Sequence, residues 1–362
     1  MSLKEFPNVK WRTVCITNSW RILKDGITNP HKHFAVEEAI ARLVDEGLSP
    51  DTLRVRYLEP SVWVGINQWV AEDVDVEACL RQGLPIVRRP NPGGAVYQDQ
   101  NNFCFSLTFQ KERLFSLLGI QDPNELYTIV GKAVTMTLQP FGVVAEISPV
   151  NDVTVGRRKI YGSAQLEFGS AFVHSGSFLI NTDVKTMAEV LKPSELKFSD
   201  KGFFNVQDRV VTLSELVGRP VEVDEVIPGF VDSILELLRG TPTTSTTSLL
   251  PAEEELSNQL FEQKYSQSSW NFRTERLGTT VLSKKIRGGL VSIKCAMEGH
   301  IIQSLAIGGD FVTPNPTSVR SLARNLEGLT VGEAVGRVQQ QKQLSNDLRG
   351  ALTELINQVD KP

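Results

Sequence analysis

The run RRPNPGGAVYQDQNN, Arg88 to Asn102, constrains this chain more than any other stretch. Two adjacent arginines enter a Pro/Gly-rich turn, and the turn leads into an apolar strand start at Ala95-Val96-Tyr97. Gly93 and Gly94 carry no Cβ, so their backbone N–H groups are able to approach an anion closely. Arg88 and Arg89 add a permanent charge and a planar fork that matches phosphate or carboxylate oxygens. Read alone, the stretch is equally a structural hairpin with a solvated charge pair.

A second stretch, NDVTVGRRKIYGSAQ from Asn151 to Gln165, carries complementary chemistry. An Asn-Asp pair precedes a short β-like run and a turn at Gly156. Lys159 then enters the small-residue segment Gly162-Ser163-Ala164, where a lysine side chain is able to lie against a ligand. Asp152 is a candidate to hold a metal ion or to orient a phosphate-bound water. The competing reading is a hairpin with a surface cluster at Arg157-Arg158-Lys159.

Together the two stretches resemble the lipoate–protein ligases, within the biotin/lipoate ligase and octanoyltransferase superfamily. The family's first motif runs Arg-Arg-x-Ser-Gly-Gly-Gly-Ala-Val-Tyr-His-Asp, and its second runs Asn-Asp followed by Gly-Arg-Lys-Ile-x-Gly-Ser-Ala. PSVWVGINQ, Pro60 to Gln68, matches a third stretch. The resemblance implies an α+β fold: a large mixed-sheet catalytic domain with a small α+β accessory domain. It implies an ATP-dependent ligase that converts lipoate or octanoate to acyl-AMP and passes the acyl group to a lysine of a lipoyl carrier. Lys159 takes the place of the family's catalytic lysine. Arg88, Arg89, Gly93, Gly94, Ala95, Asn151, Asp152, Gly162 and Ala164 are expected to contact the adenylate, with one of the two arginines structural. Gly65, Asn67, His174 and Gly176 are expected at the acyl pocket, and Asp152 at Mg²⁺. The implied partner is a lipoyl-domain protein: an oxo-acid dehydrogenase acyltransferase, a glycine-cleavage H protein or another carrier.

The chain departs from the family pattern at several positions. Asn91 and Pro92 replace Ser/Thr and the first glycine, and Pro92 removes one N–H donor. Gln98 stands in place of the motif histidine, Asn101 in place of a glycine, and Ser175 precedes Gly176 where a histidine is usual. His174 is one residue upstream, so a strand points it to the other face. These departures leave open a ligase with its own acyl donor or acceptor, or a relative that binds an acyl ligand without catalysis. An octanoyl or lipoyl transferase is a further alternative, but it uses a cysteine nucleophile, and no cysteine lies between Cys104 and Cys295. A biotin ligase would carry a Gly-Arg-Gly-Arg-like loop, which Arg88–Gly94 is not.

The 362 residues allow two domains. A net charge of −4 gives no basic field for nucleic acid, and no stretch approaches a membrane-spanning length. Four scattered cysteines and an N-terminus without an apolar signal region make a reduced cytoplasmic location the expectation. Helical spacing predicts helices over 34–43, 73–82, 124–139, 318–326 and 331–340. Strands are expected over 11–16, 53–58, 62–65, 85–87, 103–109 and 178–180, with no regular βαβ alternation. GTPTTSTTSLLPAEEE from Gly240 to Glu255 has linker composition. The expected division is therefore a catalytic domain over 1–240, a linker over 241–262 and an accessory domain over 263–362.

Overall fold

The computed structural model describes residues 18–148, 151–192, 205–273, 280–311, 313 and 316–359. The strand expected at 11–16, and Cys15 with it, lies outside the described residues. Among the described residues fourteen strands run in chain order: β1 Asn18–Leu23, β2 Thr52–Arg56, β3 Ser61–Val64, β4 Ile86–Arg88, β5 Val96–Gln98, β6 Asn102–Gln110, β7 Glu146–Ser148, β8 Asp152–Val155, β9 Arg158–Phe168, β10 Ala171–Leu179, β11 Gly240–Thr246, β12 Thr280–Ile286, β13 Gly289–Glu298 and β14 Ile301–Gly309. Eight form one sheet in the order β11-β1-β2-β6-β10-β9-β8-β7. β1 pairs parallel with both β11 and β2, and the remaining pairings are antiparallel, so the sheet is mixed.

The sequence of β6, NFCFSLTFQ, shows how this sheet is covered. Successive side chains alternate between faces. Phe103, Phe105, Leu107 and Phe109 face an apolar core shared with Phe178 and Phe230. Phe230, on the helix Val223–Leu237, meets Phe105 at a ring separation of 4.3 Å. The alternate residues Cys104, Ser106 and Thr108 are also buried, on the face carrying the inward polar side chains Arg54 and Arg56 of β2. That second face is covered by the helix Pro30–Asp45. Asn29 caps it, its side chain accepting from the N–H groups of His31 and Lys32, and Pro30 fits the first turn, where no donor is needed. The helix buries His33, Glu37 and Glu38 along with its apolar stripe.

A small sheet, β4-β3-β5, carries the Arg88–Gly94 turn. The C-terminal unit is a third sheet, β12-β13-β14, backed by helices Pro316–Leu326, Val331–Gln339 and Asn346–Gln358, with its own apolar core. The expected helix over 73–82 is a single turn at Val70–Asp73 followed by Val76–Arg81 capped by Asp75. Among the described residues no helix is long and apolar enough to cross a membrane.

The expected linker over 241–262 is packed structure. Gly240–Thr246 adds an edge strand to β1, where β-branched threonines are suited to the pleat and Pro242 is tolerated. The helix Pro251–Leu260 then lies on Pro30–Asp45. It is fixed by a buried ion pair, in which Arg21 donates to both carboxylate oxygens of Glu253 at 3.0 and 2.6 Å. The segment through Asn271 is also helical: a π-turn at Phe261–Tyr265 and a turn at Ser268–Asn271.

Candidate active site

A cavity of about 390 Å³ opens where the hairpin β8–β9, the Arg89–Gln98 loop, β10 and the C-terminal unit meet. Its floor follows from strand register. Asp152 pairs with Gly162, Gly162 with Ser177, Ser177 with Cys104, and Cys104 with Arg56. These five residues form one lateral row across β8, β9, β10, β6 and β2, all on the same sheet face. Ala164 and Ser175 pair in the adjacent row.

At one end of the row lies Lys159. Its Nζ is 2.6 Å from Asp152 Oδ1. A Cβ on Gly162 would fall 2.3 Å from that Nζ and 3.2 Å from the Asp152 carboxylate, so the lysine folds into space only glycine leaves. Asn151 pins the hairpin here. Its Nδ2 donates to Ser163 O at 2.5 Å, and its own carbonyl accepts from Ser163 N at 3.0 Å. Among the described residues no group of three or more His, Cys, Asp and Glu side chains gathers into a metal site. Asp152 is the carboxylate beside Lys159, a set that fits a cation held jointly with nucleotide phosphates rather than a self-contained protein cage.

The two arginines divide their roles. Arg89 lines the cavity, and its guanidinium donates to Trp63 O at 3.2 Å, Pro92 O at 3.3 Å and Gly94 O at 2.6 Å. It thereby shapes the loop from within, and burial lowers its pKa to about 10. Gly93 has φ +104°, a conformation that L side chains rarely adopt. Arg88 is fully buried and lies outside the cavity lining. It donates to Gly65 O and Gln68 O, both at 2.8 Å, and to Trp270 O at 3.1 Å. Of the two arginines, one of which was expected to be structural, Arg88 is the one held by backbone carbonyls away from the cavity.

Three expected pocket residues do not line the cavity. Gly65 lets two loops touch, since a Cβ there would lie 2.0 Å from Gly93 O. Asn67 accepts Gly309 N at 3.0 Å through its carbonyl, joining the first domain to the C-terminal unit. His174 faces the aromatic core, between Tyr161 Oη at 3.2 Å and Gln165 Nε2 at 3.3 Å, and burial lowers its pKa to about 3. Gly176 borders the cavity, but a Cβ on it would point at Tyr161 and Phe105. Gly93, Gly94, Ala95, Asn151, Asp152, Lys159, Gly162 and Ala164 all line it.

Sequence reasoning missed the opposite end of the row. Arg56 lines the cavity while 2% exposed, and its Nη1 donates to Glu37 Oε2 at 2.8 Å. The same guanidinium contacts His33 Nε2 and Phe105 O. Its signal was the pair Arg54 and Arg56, two charges at i and i+2 inside an otherwise apolar strand. The C-terminal unit supplies Arg287, Gly288, Gly289 and Asp310 as a further wall.

Comparison with known proteins places this geometry. A profile of the lipoyl protein ligase A/B catalytic domain matches residues 29–235, more than half of the chain. The chain belongs to this family. Lipoate–protein ligase 1 of Staphylococcus aureus is 27% identical over 293 residues, covering 80% of this chain and 84% of its own. A solved archaeal bipartite lipoate protein ligase, studied with its E2 lipoyl domain, from Thermoplasma acidophilum is similar at 27% identity with a TM-score of 0.60. That match covers 73% of this chain and 99% of the archaeal one. A solved lipoate–protein ligase A bound with ATP is similar at 26% identity and a TM-score of 0.59, covering 71% and 99%. In this lipoyl protein ligase family member, four of the five departures from the family motif, Asn91, Pro92, Gln98 and Ser175, line this cavity.

Proposed function

We propose that this chain is an ATP-dependent lipoate–protein ligase. The observation that carries the reading is Lys159 lying over Gly162 beside Asp152, in a cavity roofed by the Arg89–Ala95 loop. Family membership and the ligase names of its relatives support it. In the first step a carboxylate oxygen of the acid attacks the α-phosphorus of ATP. The bond from that phosphorus to the pyrophosphate oxygen breaks, and pyrophosphate leaves. In the second step the acceptor lysine amine, having lost its proton, attacks the acyl carbon, and AMP departs with the former carboxylate oxygen.

Negative charge grows on the α-phosphate and then on the acyl oxygen. A fixed cation between them stabilises both transition states, and Lys159 is that cation. The Arg89-shaped loop brings the N–H groups of Gly93 and Gly94 beside the adenylate, with Ala95 next in line. Asn151 holds the hairpin, and Gly162 and Ala164 leave room for ligand. Asp152 is the carboxylate that would hold magnesium together with the nucleotide phosphates, and the ion would supply charge neutralisation there. The acceptor is a lipoyl-domain protein, as in the archaeal ligase studied with its E2 lipoyl domain. The C-terminal unit serves as the accessory domain.

Transfer through a cysteine thioester is less well supported. Cys79, Cys104 and Cys295 are buried, and desolvation pushes each thiol up to about 11, far from the thiolate such chemistry needs. Free buried thiols and a need for ATP fit the reduced cytoplasm.

The test is lipoate-dependent ATP–pyrophosphate exchange. Wild type should exchange, and Lys159→Ala should lose exchange by about 10²-fold or more, as when one transition-state donor is removed. A folded wild type without exchange, with or without acceptor, would refute the ligase. Unchanged exchange in the variant would remove Lys159 from its role.

A further inference from the structure

Among the described residues five cationic side chains line the cavity, and they differ in what already holds them. Arg56 is paired with Glu37 at 2.8 Å, and Lys159 with Asp152 at 2.6 Å. Arg89 is occupied within its own loop, donating to three backbone carbonyls. Arg209 and Arg287 are different. Among the described residues neither has a hydrogen bond, an ion pair or a ring contact.

Arg209 closes the short helix Val206–Arg209, and the chain beyond it runs beside Lys159. Val210 forms a parallel bridge with Lys159, and Val211 N donates to Lys159 O at 2.9 Å. This segment takes the place that β10 leaves, since the pairing of β10 with β9 ends at Phe178 and Tyr161. The backbone carrying Arg209 is therefore one strand spacing, roughly 4.8 Å, from the backbone of Lys159. Val206, Arg209 and Val210 line the cavity, and the two valines belong with Leu179 and Met187 to one apolar cluster. Arg209 is the charge that this segment brings to the site.

An arginine kept for the fold is normally seated on an acceptor. Arg158, next to Lys159 in the chain, is seated in that way on Glu215 at 2.5 Å. Arg209 has no such seat, although it is half-buried and borders the same cavity. A guanidinium in that state offers an unused planar fork of donors, the geometry that suits a phosphate group. Adenylation creates a need for it. The bond from the α-phosphorus to the oxygen bridging the β-phosphate breaks, and the electron pair stays on that oxygen. Charge grows there, beyond the α-phosphate, while the charge of Lys159 is already shared with Asp152. A further cation fixed beside Lys159 stabilises it.

We propose that Arg209 binds the β-phosphate of ATP and stabilises the departing pyrophosphate, next to Lys159 at the α-phosphate. The proposal rests on the ligase reading and adds to it a residue that separates the two half-reactions. Pyrophosphate has left before the acceptor amine attacks, so Arg209 acts in adenylation alone and Lys159 in both steps. Arg287, in the turn between β12 and β13 of the C-terminal unit, is the second unpaired cation and supplies the comparison.

The experiment measures equilibrium binding of ATP and AMP, lipoate-dependent ATP–pyrophosphate exchange, and acyl transfer from preformed lipoyl-AMP to an apo lipoyl domain. The variants are Arg209→Gln, Arg209→Lys and Arg287→Gln. Loss of a charge-assisted contact should weaken ATP binding about tenfold or more in Arg209→Gln and lower exchange at least as much. AMP binding and transfer from lipoyl-AMP should stay as in wild type, because neither involves the β-phosphate. Arg209→Lys keeps the charge without the fork and should recover part of both losses. The ratio of ATP to AMP affinity is read within one protein, so partial misfolding lowers both and does not imitate the result. Equal weakening of ATP and AMP would overturn the proposal and move Arg209 to the α-phosphate or the nucleoside. Slower transfer with normal exchange would overturn it in favour of the acceptor. Unchanged ATP affinity and exchange would make Arg209 a solvated charge, and a larger loss in Arg287→Gln would give the role to Arg287. A wild type that favours ATP over AMP through Arg209, yet exchanges with no acid, would defeat the ligase reading and leave the phosphate contact standing.

Discussion

At one end of the cavity floor, Lys159 and Asp152 pair at 2.6 Å with side chains 30% and 18% exposed. At the other, Arg56 and Glu37 pair at 2.8 Å with side chains 2% and 1% exposed. The first pair is part-solvated, so on the ligase reading Lys159 is able to exchange its carboxylate for a phosphate. The second is desolvated and tied to the backbone through Phe105 O, so it does not rearrange. One end of the floor is open to exchange of partners, and the other is a fixed wall of the cavity.

That contrast is open to direct attack, beginning with the buried end. Arg56→Met strips Glu37 of its partner and should destabilise the fold by about 3–5 kcal/mol, read as a drop in the denaturant midpoint. A variant as stable as wild type would show that the pair is not a fixed wall. Gly162→Val fills the space beneath Lys159. It should leave the fold intact but lower exchange by about 10²-fold, the effect of misplacing a reacting group by an ångström. Retained activity would mean that Lys159 works from another position.

A third test concerns the aromatic face behind the floor. His174 is held neutral, its pKa lowered from 6.5 to about 3 by burial. Below pH 6.5 the unfolded chain binds a proton that the native state refuses, so stability falls as pH falls, over the window down to about 3. By pH 5 this amounts to about 2 kcal/mol. His174→Gln should flatten the dependence of Tm on pH between 6.5 and 5, and an unchanged slope would assign the acid sensitivity elsewhere, for example to His33, which is also held neutral. The smallest effect is expected on the rim. Arg158, 39% exposed and paired with Glu215 at 2.5 Å, should on reversal to Glu raise the KM for an acidic lipoyl domain a few-fold and leave exchange unchanged. Equal loss of both would place Arg158 in the adenylation step.

Local pattern made much of the molecule legible. The helix Pro30–Asp45 was visible in its spacing, as were the alternation in β6, the hairpin carrying Lys159 and the Gly93 turn. What escaped depends on register between distant strands. Nothing near Arg56 in sequence says that it shares a row with Asp152, because that row is assembled from four pairings. Arg88 and Arg89 are adjacent and chemically identical, yet one is tied to Trp270 and the other to Gly94. Residues 240–246 read as linker because Thr, Ser and Pro mark turns locally, while the partner that makes them a strand is β1, more than two hundred residues earlier.

The tie between Arg88 and the turn Ser268–Asn271 also sets an order of events during synthesis. Trp270 Nε1 donates to Arg88 O and Asn271 Oδ1 accepts from Arg88 N, both at 2.9 Å. The motif loop leaves the ribosome long before those partners exist. A nascent chain that already contains every residue of the matched catalytic region therefore still has a buried arginine waiting for its clasp. The cavity also takes part of its wall from Arg287 and Asp310, so products interrupted at the end of that region lack a finished pocket.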